Sequence, residues 1–216
     1  MTLLAVRISA PLLALACLAT GAGAAVPRPV WSLGVSGGSA LFDPHLADYQ
    51  WNLAPRPAWG AQAGATFGRF GLALRAGVAS ATQHLDAAAS PPDAAVRVTT
   101  LDLAGEAALA RPLGAALLAR ASAGRVALDW SPGRVTLDAG AGATTVELSP
   151  VHAWAWGAGA ALRREVAPRW TATLAVERNA FSFDTAHRSG ASVTYARETF
   201  GNWNGRLELA RLFGVR

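Results

Sequence analysis

From Trp31 to the end of the chain, apolar and polar side chains alternate with a period of two, in short runs separated by turn-forming residues. That is the pattern of β-strands with one apolar face. Trp31, Leu33 and Val35 alternate with Ser32, Gly34 and Ser36 in a first strand that ends at Gly37-Gly38. A second strand sets Trp59, Ala61, Ala63, Ala65 and Phe67 on one face, and a third sets Phe70, Leu72, Leu74, Ala76 and Val78. Only Gly68 and Arg69 separate these two. A two-residue hairpin there pairs Phe67 with Phe70 on the same face, so turn and register agree.

Five further strands follow the same rule. The fourth has Leu101, Leu103, Ala107 and Leu109 against Asp102, Ala104 and Glu106, and the fifth has Leu117, Ala119, Ala121 and Ala123 against Leu118, Arg120 and Ser122. The sixth runs through Trp154, Trp156, Ala158, Ala160 and Leu162 to a short turn over 163–168. The seventh carries Trp170, Ala172, Leu174 and Val176 against Thr171, Thr173 and Glu177, and the last alternates Trp203, Leu207 and Leu209 with Asn202, Asn204, Arg206 and Glu208 before reaching Phe213. Long connections over 39–57, 80–94, 128–150 and about 180–198 alternate with short ones. The third long connection is expected to carry strand pieces near 134–137 and 144–148.

Composition sharpens this picture. Half the residues are hydrophobic (52%) and only 15% are charged, where an ordinary soluble domain has roughly a quarter. Disorder is excluded, and so is a surface fully wetted by water. The net charge is +5, from nineteen basic residues, all arginine, against fourteen acids. The arginines are scattered and form no stripe interleaved with aromatics, which excludes nucleic acid as a partner. Met1 to Ala24 has one cation at Arg7, an apolar run from Ala10 to Ala19 and a small-x-small ending at Ala22-Gly23-Ala24. This reads as a signal peptide over 1–24 ahead of one domain at 25–216. Cys17, the one cysteine, is the alternative lipid-attachment point in Ala14-Leu15-Ala16-Cys17. Past residue 25 no apolar run is long enough for a membrane helix.

Alternation alone does not say which face is outside, since soluble and membrane barrels share the period. Three features favour the membrane form. The polar faces hold Gly, Ser, Thr, Ala and few charges, which suits a narrow lumen and not a hydrated exterior. Aromatics gather at strand ends, with Trp31, Phe67, Phe70, Trp170 and Phe213 on the short-turn side and Trp59, Trp154, Trp156, Phe200 and Trp203 towards the long loops. Long and short connections alternate, as when two aqueous compartments differ. On these residues the chain resembles the small eight-stranded outer-membrane proteins of Gram-negative bacteria, the OmpA-transmembrane and OmpX-like class. The resemblance covers about 26–216 and carries no diagnostic motif. It implies an all-β, eight-stranded antiparallel up-and-down transmembrane barrel in the cell outer membrane. It also implies outer-membrane lipid, lipopolysaccharide and the insertion machinery as partners, and loops that meet some extracellular ligand. Its last strand departs from the class, because Phe213 is followed by Gly214-Val215-Arg216 and Arg211 interrupts the apolar face.

The candidate chemistry is sparse, and no cofactor is expected. Arg75, Arg120 and Arg206 share the polar faces with Asp102, Glu106, Glu177 and Glu208. These should pair as a structural plug, in preference to a gated ion path that would make a small-solute pore. His45, His84, His152 and His187 fall on the long-loop side without His-x-His or His-x3-His spacing, so no metal site is assigned. His187-Arg188-Ser189 with Glu198 resembles the His-x-Ser element of outer-membrane lipid A deacylases, which implies a hydrolytic triad. Gly190 stands where that family has asparagine, and the triplet falls in an apparent loop, so a polar turn over Asp184 to Gly190 is the preferred reading. The short-turn side carries Arg28, Arg69, Arg111, Arg163, Arg164, Arg169, Arg211 and Arg216 with only Glu165, which supports the alternating topology. The resulting expectation is a non-enzymatic barrel with a closed polar lumen, acting in envelope integrity or surface interaction through its long loops.

Overall fold

The computed structural model of the chain describes residues 28–46, 49–52, 54–85, 89–138, 142–189 and 192–214. The expected leader over 1–24, Cys17, Gly190, and the side chains of His45, His187 and Ser189 lie outside the described residues. Eight long strands, β1 (Val30–Phe42), β2 (Arg56–Phe67), β3 (Phe70–His84), β4 (Asp93–Ala110), β5 (Ala116–Ser131), β6 (Val151–Ala167), β7 (Trp170–Ser189) and β8 (Ser192–Phe213), pair antiparallel with their chain neighbours. The ring closes where β1 pairs with β8, from Trp31 opposite Phe213 to Phe42 opposite Asn202. Closure leaves no strand edge in the wall, as a bilayer requires.

The hairpin at Gly68-Arg69 has Phe67 opposite Phe70, and Gly68 supplies the left-handed φ of 62°. The next short connection is a 3-10 turn over Pro112–Gly114. The turn expected over 163–168 is tighter. Strand β6 continues to Ala167, which pairs with Trp170, leaving Pro168-Arg169 as the turn. These turns and both barrel termini share the periplasmic end.

All eight strands run further than the sequence predicted on the opposite, extracellular side. Expected loop is strand instead at 39–42, 56–57, 80–84, 93–94, 128–131, 180–189 and 192–198, and strand also covers the unassigned stretches 95–100, 125–127, 151–152 and 199–201. The first long connection folds back as a ribbon of His45–Leu46 and Tyr49–Trp51, the latter pairing with the end of β3. The third carries the hairpin Arg134–Asp138 with Ala143–Glu147, which also pairs with Ala89–Ser90.

The reason for the longer strands is an inversion of polarity at constant alternation. On β4 the outward positions run Leu103 and Leu101, then Thr99 and Arg97, while the inward ones run Glu106 and Asp102, then Val98 and Val96. On β5, outward Ala121 and Ala123 give way to Arg125, and inward Arg120 and Ser122 to Val126 and Leu128. On β7, outward Leu174 and Val176 give way to Arg178, and inward Thr173 and Glu177 to Phe181 and Phe183. Below the inversion hydrocarbon is the outer solvent, and above it water is.

Close wall packing relies on glycine. A Cβ on Gly124 would lie 2.2 Å from the Leu101 carbonyl oxygen and 2.5 Å from Asp102 Cα, both backbone atoms of β4. Gly124→Val must therefore spread β4 from β5, an overpacking cost of about 1–3 kcal/mol or more. Its folded band on an unheated gel is expected to melt well below that of the wild type.

Candidate functional site

The lumen has two layers. The lower layer is an ion network that ties opposite walls together. Two of its pairs are cross-strand neighbours by register, Arg75 with Asp102 and Glu106 with Arg120. Arg75 donates from Nε to Asp102 Oδ1 at 2.7 Å and reaches over the lumen to Glu177 Oε1 at 2.7 Å. Arg120 contacts Glu106 Oε1 at 2.6 Å, and its Nη1 and Nη2 donate to Glu208 Oε1 and Oε2 at 2.6 and 2.8 Å, a bidentate fork. Arg206 Nη2 donates to Glu177 Oε2 at 2.7 Å. Glu177 and Glu208 are 2% and 1% exposed, and Arg120 is 4% exposed.

Two members were not anticipated. Arg163, assigned to a periplasmic turn, points inward from β6 and donates to Glu106 Oε2 at 2.6 Å and to Thr173 Oγ1 at 3.2 Å. Gln62 Nε2 reaches Glu208 Oε2 at 3.4 Å. The signal for Arg163 was the alternation itself, which continues from outward Leu162 once the turn is confined to Pro168-Arg169. With Arg163 the network holds four cations and four carboxylates, in place of three against four. That equality matters because an unpaired charge at this depth is expensive.

The upper layer overturns the expectation of a polar lumen throughout. Phe42, Trp51, Val96, Val98, Val126, Leu128, Phe181, Phe183 and Phe200 are buried together inside the extracellular part of the ring. Phe200, expected among the outer aromatics, is 7% exposed and lies 4.9 Å from Phe183 between ring centroids. Trp51 comes from the first ribbon and stacks on Phe42 at 5.3 Å. No local pattern in the sequence marks Trp51 as core, since only the fold-back of the ribbon brings it inside. Between the layers a cavity of about 60 Å³ is lined by Asn179, Asn202, Asn204, Thr100 and Arg206, room for a few waters.

On the outside, Trp31, Trp59, Phe67, Phe70, Trp154, Trp156, Trp170, Trp203 and Phe213 are all exposed, as are Val35 at 62% and Leu207 at 60%. Phe67 and Trp59 are eight residues apart on β2, and Phe213 and Trp203 ten apart on β8. At about 3.4 Å per residue and a tilt near 40°, the two aromatic levels are separated by roughly 20–26 Å, the height of a lipid-facing band. Arg125 stacks over Trp154 at 4.5 Å and Arg178 over Trp203 at 5.7 Å, at the upper level where the polarity inverts.

The proposed hydrolytic residues sit on strands, not in a loop. His187 pairs with Thr194, Ser189 with Ser192, and Glu198 with Phe183, all in the β7–β8 hairpin. Glu198 thus lies four residue pairs from His187, about 14 Å along the strand direction. Its carboxylate accepts the Thr185 hydroxyl at 2.8 Å. Of the histidines, His84 Nδ1 meets Asp93 Oδ1 at 2.5 Å and His152 is exposed on β6. Beyond Phe181 and Asn202 this hairpin has no ladder to β6 or β1 among the described residues, although Phe183 and Phe200 still turn inward. Among the described residues, 182–189 and 192–199 pair only with each other.

No protein-family model matches the chain, and no curated protein is similar to it in sequence. Among solved structures, a major outer membrane protein from Thermus thermophilus superposes with a TM-score of 0.50 at 9% identity, over 86% of this chain and 100% of that one. Neisserial surface protein A gives 0.48 at 9% identity, over 88% and 100%. The outer membrane protease OmpT from Escherichia coli gives 0.39 at 10% identity, over 89% and 99%. At such identities the likeness is one of fold, that of the outer-membrane β-barrels. The lipid-facing band between two aromatic levels on a closed barrel locates the chain in a cell outer membrane.

Proposed function

We propose that this chain is a non-enzymatic outer-membrane barrel whose lumen does not conduct, acting in envelope integrity or surface interaction through its extracellular extension. The observation that carries the reading is the double closure of the lumen, by the Arg120-centred network and by the phenylalanine layer above it. An ion path would have to break both. The paired strands 182–189 and 192–199 support a surface role, because among the described residues their outer edges carry no further ladder strand, and such an edge suits an extended partner. The separation of Glu198 from His187 speaks against a triad, whose members must reach hydrogen-bond distance. In planar bilayers the purified barrel is expected to give no steady current, and deletion of its gene to leave lipid A acylation unchanged. A stable large pore would replace this reading with the small-solute channel. Loss of an acyl-chain release that also disappears in Ser189→Ala would replace it with the hydrolase.

A further inference from the structure

The periplasmic rim carries a concentration of cations that neither the lumen nor the loops use. Arg211 projects outward from β8, paired in register with Trp170 on one side and Leu33 on the other, and its guanidinium lies 5.5 Å over the Phe213 ring. Arg164 projects outward from β6 just below Leu162, opposite Ala172 of β7. Arg169 occupies the turn between β6 and β7, and its carbonyl accepts the Leu212 N–H at 2.7 Å, which fixes it beside Arg211. Three exposed arginines therefore surround the exposed Trp170 and Phe213 on one flank of the barrel. Among the described residues none of the three has a carboxylate within ion-pair reach, in contrast to Arg178 at the opposite rim, which Asp43 holds at 2.8 Å.

Position selects the occupant. These cations lie at the level of the lower aromatic ring, where tryptophan and phenylalanine meet the headgroups, and arginine's planar fork suits a phosphate bidentately. From these features we infer that Arg164, Arg169 and Arg211 form a site for the phosphate of an anionic glycerophospholipid in the periplasmic leaflet, with Trp170 and Phe213 against its acyl glycerol end. A phosphorylated glycolipid offers the same chemistry from the other leaflet. For it the nearest exposed cations are Arg97 and Arg125 at the extracellular level.

The test uses the full barrel in nanodiscs of equal phosphatidylglycerol and phosphatidylcholine, with native mass spectrometry reading the lipids that leave with the protein. The wild type is expected to retain phosphatidylglycerol over phosphatidylcholine by about tenfold or more. Arg164→Gln/Arg169→Gln/Arg211→Gln should abolish that preference, while Arg97→Gln/Arg125→Gln should keep it. If the triple variant fails to give a heat-modifiable band, the three single variants decide, each with a partial loss. Equal retention of both lipids by the wild type, or an undiminished preference in the variants, overturns the site. So does a parallel arm with lipid A in place of phosphatidylglycerol in which the same three arginines prove to hold the lipid A.

Discussion

Arg120→Met is expected to destabilise the barrel by about 3–5 kcal/mol, the cost of leaving a buried carboxylate without its cation. The loss falls unequally on Arg120's partners. Glu106 keeps Arg163 at 2.6 Å, and Glu177 keeps Arg75 and Arg206 at 2.7 Å each. Glu208 keeps only Gln62 at 3.4 Å and Arg206 Nε at 3.8 Å, while 1% exposed to solvent. The readout is the temperature at which the compact band of an unheated sample converts to the unfolded one. Removing the stranded acid as well, in Arg120→Met/Glu208→Leu, should restore most of the loss, because a buried ion pair exchanged whole for apolar groups is often near neutral. Equal losses in the single and double variants would mean that the arginine acts through packing and not through charge.

Phe181→Ala should be of similar size but localised. Its ring is 2% exposed, 6.0 Å from Phe183 and 6.4 Å from Phe200 between centroids, so truncation opens a cavity worth about 3–5 kcal/mol. That cavity lies above the polarity inversion, in the water-surrounded part of the barrel. Tryptic cleavage after Arg197 in intact vesicles should become much faster, while the lipid-embedded part still resists and still shifts on heating. Leu174→Ala deletes three carbons, against six in Phe181→Ala, from the lipid-facing side and should cost less than half as much, because hydrocarbon refills the space. Whole-barrel unfolding in Phe181→Ala, with no selective exposure of Arg197, would show that the two parts melt as one unit.

The contrast between these variants also marks what was legible in the sequence. Strand number, hairpin register at Phe67 and Phe70, and the sense of each face could be read, because period two and turn residues are local properties. Strand ends could not. A strand crossing from lipid into water keeps its alternation but exchanges the meaning of its faces, so Arg97 and Thr99 ended the apolar face read for the fourth strand and stayed outside it, where they are the wetted exterior of β4. Arg75 with Asp102 follows from adjacent strands, whereas Arg75 with Glu177 spans the ring. Such a pair depends on barrel closure, which no single strand encodes. Trp51 became core for a similar reason, through a ribbon folding back onto β3. The hydrolytic residues were read into a loop because Asp184 to Gly190 is polar, although it continues β7 as far as Ser189.

The equality of Arg75, Arg120, Arg163 and Arg206 with Asp102, Glu106, Glu177 and Glu208 has a consequence for how the protein sits across an electrical asymmetry. The work that a potential does on a body is proportional to the net charge moved through it. Fixed polyanions in the periplasm sustain a Donnan potential over an outer membrane, and that potential rises and falls with external salt. A network that sums to zero adds nothing to the net force on the barrel, so a change in that potential acts through the charges of the rims and loops and leaves the lumen without a net pull.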